Sequence, residues 1–240
     1  MKPQAVRTPM LVGRRLRLVL WLIPVLLGLV WIPLSYHLVR EQAVAVGYAG
    51  DTAFLSSSFH SDEADLTYRY RWTSGRDSIT FHGAGSASPV EVLVQAQGFR
   101  PEGFPQPVTM TVSLEGAAPE SQPPVVTLTN RLDTYRFVLP ARDAVQPYTV
   151  VMDTPTFNAP GDPRPLGVKV ARVELRQSGS GLNLPPLDAL LWPLVLVGGL
   201  GYLLLLLPRL LGYFLVLPAG AVVLAGTMLY RPYAAVYLPP

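Results

Sequence analysis

The chain has 240 residues, half of them hydrophobic, no cysteine and a formal net charge of +3. That charge belongs to the first 17 residues, where Lys2, Arg7, Arg14, Arg15 and Arg17 face no acid; residues 46–178 carry 11 Lys+Arg against 14 Asp+Glu. A basic working surface for nucleic acid is thereby excluded, as are disulfides and thiolate metal ligands.

Residues 1–17 read as a basic tail that stays in the cytoplasm, beside a first apolar block, 18–39, that reads as a transmembrane helix. About 20 apolar residues suffice to cross the hydrocarbon layer. Trp21, Trp31 and Tyr36 lie near its ends. Pro24 and Pro33 would kink it, which membrane helices tolerate. Ala43-Val44-Ala45 resembles a signal-peptide cleavage site. The apolar run is longer than a signal peptide's core and lies well before that site, so a retained helix is the preferred reading. Either way the next segment is sent outside.

Residues 46–178 then read as a β domain. Loop character runs from Gly47 to Asp65, through Gly50-Asp51 and Ser56-Ser57-Ser58. Alternating or β-branched runs follow at residues 66–72, 78–81, 90–96, 108–114, 125–129, 134–139, 148–152 and 166–175. Between them lie Gly/Pro-rich turns such as 98–103 and 119–124. Short strands with regular turns and no amphipathic helix predict an antiparallel β-sandwich or jelly roll, large enough for its own core. Residues 179–188, with Gly179-Ser180-Gly181 and Pro185-Pro186, read as a linker. Two further apolar blocks, 189–207 and 210–230, are separated by little more than Pro208-Arg209 and read as a transmembrane hairpin. The expected fold class is thus a membrane protein with an all-β outer domain between one N-terminal helix and a C-terminal helical hairpin.

At Thr134–Pro140 and Gly161–Leu175, with Gly50-Asp51, Phe59-His60 and Tyr68–Trp72, the chain resembles the outer domain of certain bacterial multi-pass membrane proteins. Some of these are labelled glycosyltransferase-like, of the protein mannosyltransferase type. The resemblance spans roughly residues 45–178 and implies a galactose-binding-like jelly roll inserted after the first membrane helix. It also implies an acidic catalytic residue in the first outer loop, for which Asp51, Asp62 and Glu63 are the candidates, with Asp65 beside them.

A carboxylate there would deprotonate an acceptor hydroxyl or share a divalent cation; a solvated acidic turn is the plainer account. Tyr68, Tyr70 and Trp72 share one strand face. Exposed, they would stack on sugar rings; buried, they are sandwich core, and core is the expectation. His60 and His82 lack the spacing of a helical metal site, so no metal is expected. Asp162 is expected to pair with Arg164. If a ligand binds the loops at a sandwich end, His60, Arg100, Asn158, Asp162 and Arg164 are the candidate contacts. No P-loop, nucleophile elbow, zinc-protease motif or glycosylation sequon occurs. No cofactor is expected. The expected function is non-catalytic: a membrane-anchored, extracytoplasmic module that binds or positions a glycan, a lipid-linked sugar or a membrane partner protein. The alternatives are the amino-terminal part of a membrane glycosyltransferase and a purely structural module.

Overall fold

Alternation decides the strands: Val90, Val92, Val94 and Ala96 are buried and the residues between them are half-exposed, the pattern of a strand with one face on a core. The computed structural model describes residues 41–81, 89–116, 123–140 and 147–177, together with 22–23, 25–31, 33–34, 191, 194–196, 198–199, 202–203 and 222. The chain divides into two compact units, one of residues 1–35 with 187–240 and one of residues 36–186. In the first unit the described residues are helical. No helix among them is long and apolar enough to cross a membrane. Most of the expected spans 18–39, 189–207 and 210–230 lies outside the described residues, as do the tail 1–17 and the linker 179–188.

The second unit is all-β but for one short 3-10 turn at Asp51–Ala53. Its strands are β1 (Glu41–Ala45), β2 (Asp62–Ala64), β3 (Arg69–Trp72), β4 (Arg76–Phe81), β5 (Val90–Gln97), β6 (Val108–Leu114), β7 (Val125–Leu128), β8 (Asp133–Leu139), β9 (Tyr148–Asp153), β10 (Phe157–Asn158), β11 (Pro165–Leu166) and β12 (Lys169–Gln177). Two antiparallel sheets carry the domain. One runs β2-β3-β12-β5-β8, with β1 also on β12, and the other runs β4-β9-β6-β7. β3 to β4, β5 to β6, β7 to β8 and β8 to β9 all cross between sheets, which makes the fold jelly-roll-like. Val92, Val94, Phe137, Val173 and Leu175 from the first sheet meet Ile79, Phe81, Met110, Val112, Val150 and Met152 from the second. Each such side chain contributes roughly 1.5–3 kcal/mol of burial.

Two departures from the sequence expectation matter. The first strand begins at Glu41, ahead of the expected start at residue 46, and Ala43-Val44-Ala45 pairs with Glu174, Val173 and Arg172. Cleavage there would remove a strand. Because Glu41 lies opposite Arg176, the chain enters and leaves the domain side by side. The run 66–72 is not one strand. Asp65 N–H bonds to Tyr68 O and Leu66 is fully exposed, so residues 65–68 form the tip of a β2–β3 hairpin that alternation alone does not reveal.

Candidate functional site

One irregularity on β12 arranges the surface of interest. Val170, Val173 and Leu175 all point into the core, which strict alternation forbids; a register shift between Val170 and Arg172 absorbs the extra residue. Lys169 is thereby aimed away from the core while Val173 and Leu175 are aimed into it. Across the sheet Lys169 stands between Trp72 of β3 and Gln97 of β5, so the three share the outward face. Arg71, opposite Val170, takes the inward face.

The expectation that Tyr68, Tyr70 and Trp72 line the sandwich interior is therefore corrected. Tyr70 and Trp72 are buried, but in a second apolar cluster on the other side of the sheet, with Phe157, Leu166 and Ala171. Tyr68, Phe99 and Phe104 join it half-exposed. The rings form a chain: Tyr68–Tyr70 at 5.6 Å between centroids, Tyr70–Trp72 at 6.1 Å, Trp72–Phe99 at 6.4 Å, Trp72–Phe157 at 6.0 Å and Phe104–Phe157 at 5.1 Å. Most of these contacts are edge-to-face, the geometry ring quadrupoles prefer. The Lys169 ammonium lies over three of the rings, 4.4 Å from the Tyr70 centroid, 5.2 Å from Phe99 and 5.4 Å from Trp72. Among the described residues it makes no ion pair within 4.0 Å. Burial pulls its pKa below the usual lysine value, partly opposed by Asp65 and Glu63.

Glu63 sits at the rim. Its Oε2 accepts from the Tyr70 hydroxyl at 3.1 Å and Trp72 Nε1 at 3.2 Å, and its Oε1 accepts from Arg164 Nη2 at 3.0 Å. Burial, with Glu63 adding to it, pushes the Tyr70 phenol up to about 12. Tyr68 donates to Gln97 Oε1 at 2.6 Å. Arg164 also grips both Asp162 oxygens, the pair the sequence suggests, and these hydrogen bonds hold the Asp162 carboxyl down at about 2. His60 Nε2 donates to Pro165 O at 2.9 Å, which ties β2's approach to β11. Arg100 is almost wholly buried. It donates to the carbonyls of Phe99, Gly167 and Pro155 and stacks 4.4 Å from the Phe157 centroid. Burial lowers its pKa to about 10. It joins its own loop to both ends of the β10–β11 hairpin, through Pro155 O, the Phe157 ring and Gly167 O.

The other sequence candidates fall elsewhere. Asp51 is buried and accepts from Gly47 N–H at 2.7 Å and from Arg71 Nε and Nη2 at 2.8 and 3.0 Å, a lock holding β1's exit loop to β3. Asp62 is half-exposed and approaches Arg69 and Arg71 only at 3.6 and 3.8 Å. Asn158 is exposed on β10. His82 lies outside the described residues. Among the described residues no three His, Asp or Glu side chains converge as a metal site would require.

No protein-family model matches the chain, and no curated protein matches it. Solved structures do. A family GH115 4-O-methyl-α-glucuronidase with specificity for decorated arabinogalactans is 18% identical over 52% of this chain and 17% of its own, with a TM-score of 0.33. A carbohydrate-binding module of the Cellvibrio mixtus lichenase 5A, solved with cellotriose, is 8% identical over 59% of this chain and 100% of its own, at 0.34. A Podospora anserina β-(1,4)-mannanase is 11% identical over 59% of this chain and 28% of its own, at 0.38. The chain thus spans less than a third of the glucuronidase and of the mannanase. Likeness at this level carries no argument, and the sandwich assignment rests on the sheets described above.

Lys169, Gln97, Phe99, Phe104 and Phe157 belong to the cluster and were not singled out in the sequence. Phe99 and Phe104 flank the turn Arg100–Gly103, and a ring beside each end of a Gly/Pro turn was the available signal. For Lys169 the bulge removes any such signal.

Proposed function

We propose that the β domain is a non-catalytic glycan-binding module. The observation that carries this is the second apolar cluster, built mainly of rings, on the outward face of the six-stranded sheet. A sandwich of this size closes its core without it. Sugar rings offer C–H faces that lie on aromatic side chains and hydroxyls that need both donors and acceptors. Tyr68, Phe99 and Phe104 supply half-exposed ring surface, and Lys169, Gln97, Glu63 and Arg164 supply both kinds of polar partner at the rim. A mainly apolar lining with a few placed polar groups is the usual make-up of a ligand site. The carboxylates suggested as catalytic bases fit this reading better than a catalytic one, since Asp51 and Glu63 are each held by three hydrogen bonds.

In the same proposal the apolar blocks 18–39, 189–207 and 210–230 hold the domain on the outer side of a cell membrane, with residues 1–17 in the cytoplasm. The motives are the acid-free basic tail and the length of the first block. Free and lipid-linked glycans share the ring chemistry, so each is offered separately. The test is calorimetric titration of the detergent-purified full chain with a panel of neutral, acidic and amino oligosaccharides and a lipid-linked sugar. Saturable binding that Tyr68→Ala weakens is expected. No binding by any member to a chain with an intact β-sheet spectrum would overturn the proposal.

A further inference from the structure

The ligand chemistry of the aromatic cluster is suggested by what already occupies it. A lysine ammonium lies within 4.4–5.4 Å of three ring centroids, with carboxylates close enough to act on it and none paired to it. Rings that converge on one point, with acidic groups behind them, are the recognition chemistry of ammonium groups. The Lys169 chain is long, flexible and only half-buried, so it can swing to solvent with little disturbance of the backbone. With it gone, the two carboxylates that act on it, Glu63 and Asp65, remain, Glu63 shared with Arg164. The vacated place then keeps those carboxylates beside ring faces that the ammonium had covered, which suits an incoming cation.

We propose that Lys169 is a self-ligand and that Tyr70, Trp72 and Phe99 form a cage for an amine-bearing sugar, which enters by displacing the lysine. This rests on the glycan reading and narrows it to amino sugars. A neutral sugar would leave the lysine in competition with it for the same ring faces. An acidic sugar would meet Glu63 and Asp65. An amino sugar replaces one ammonium by another and gains ring contacts for its carbon skeleton. Gln97, opposite Lys169 in the sheet register, is the polar group offered to the hydroxyls of the same unit; its amide accepts from Tyr68 and donates to Asn130 O.

The experiment titrates the detergent-purified full chain with a glucosamine oligosaccharide, its N-acetylated counterpart, a cello-oligosaccharide and choline, for wild type and for Lys169→Met and Lys169→Gln. The wild type is expected to favour the glucosamine oligosaccharide over the N-acetylated one by roughly tenfold, in the range that ring–cation contacts supply. Lys169→Met, which keeps the stem and removes the competing charge, is expected to bind it several-fold more tightly still and to take up choline. Lys169→Gln serves the same purpose should the methionine variant fold poorly. Equal binding of the acetylated, cellulosic and amino oligosaccharides would overturn the cage while leaving the glycan reading standing. Choline binding with no binding of the glucosamine oligosaccharide would show an ammonium site but overturn the amino-sugar proposal. No binding of any probe by any variant would overturn the cage, and the glycan reading then falls or stands on the acidic and lipid-linked members of the wider panel.

Discussion

Removing Asp51 tests whether that carboxylate is a lock or a reactive group. Its side chain is 1% exposed and that of its partner Arg71 is 12% exposed, so both charges have left water. The two Arg71 donors and the Gly47 N–H all end on Asp51, at 2.7–3.0 Å. Asp51→Ala leaves the guanidinium with His60 O at 3.0 Å and with Asp62 no nearer than 3.8 Å. An uncompensated buried charge of this kind costs about 3–5 kcal/mol, a large share of the roughly 5–15 kcal/mol that holds a domain together. The half-exposed Arg69–Asp62 pair at 3.6 Å is the internal control, and Asp62→Ala is expected to cost under about 1 kcal/mol. Replacing both members, Asp51→Leu with Arg71→Met, is expected to cost less than either single loss, because no orphan charge remains. Thermal melting of the β-sheet far-UV signal, measured for these three variants, for Arg71→Met alone and for the parent, reads all of this. An Asp51→Ala chain that melts with the parent would refute the lock and return Asp51 to the list of reactive carboxylates.

Trp72→Ala is expected to destabilise by about 3–5 kcal/mol in a urea titration, as large-to-small changes in packed clusters do, even though the cluster lies outside the sandwich; a midpoint equal to the parent's would show the rings to be unpacked. Gly167→Ala would place a Cβ 2.0 Å from Thr73 Oγ1 and 2.6 Å from Thr154 Oγ1. At least the 1–3 kcal/mol typical of overpacking, about that order, should appear in the same titration. Asp162 has a folded pKa of about 2, below its ordinary 3.8. The stability it contributes is therefore present above about pH 4 and is lost as pH falls toward 2, so the acid limb of a pH–melting curve should flatten in Asp162→Asn. Single cysteines at Ser57, Ser180 and Arg209 in this cysteine-free chain should label from outside intact cells at the first two positions only; the reverse pattern would invert the proposed topology.

The core strands were legible because their period is local: 90–97 and 108–114 alternate without interruption, and each forms one strand. Asp162 and Arg164 were legible because a single residue, Pro163, separates the donor from its acceptor. What failed was long-range. Sequence spacing puts Tyr68, Tyr70 and Trp72 on one face but not on a particular one. With the rings expected inward, Arg71 would face outward; its bonds to Asp51, 20 residues away, and to His60 O hold it on the inward face. The β12 bulge reverses the parity that would have predicted the aim of Lys169, and β2, β10 and β11 are too short to carry a period.

The most direct measurement uses Trp72 as a reporter inside the proposed site. With Trp21, Trp31 and Trp192 changed to phenylalanine, Trp72 is the remaining indole in the chain. Its emission is followed while an oligosaccharide that the parent binds is titrated in. The account predicts a saturable change in Trp72 emission, with a midpoint matching the calorimetric affinity and shifted to higher concentration by Tyr68→Ala. Full binding by calorimetry with an unchanged Trp72 signal, unaffected by Tyr68→Ala, would place the glycan elsewhere and contradict it.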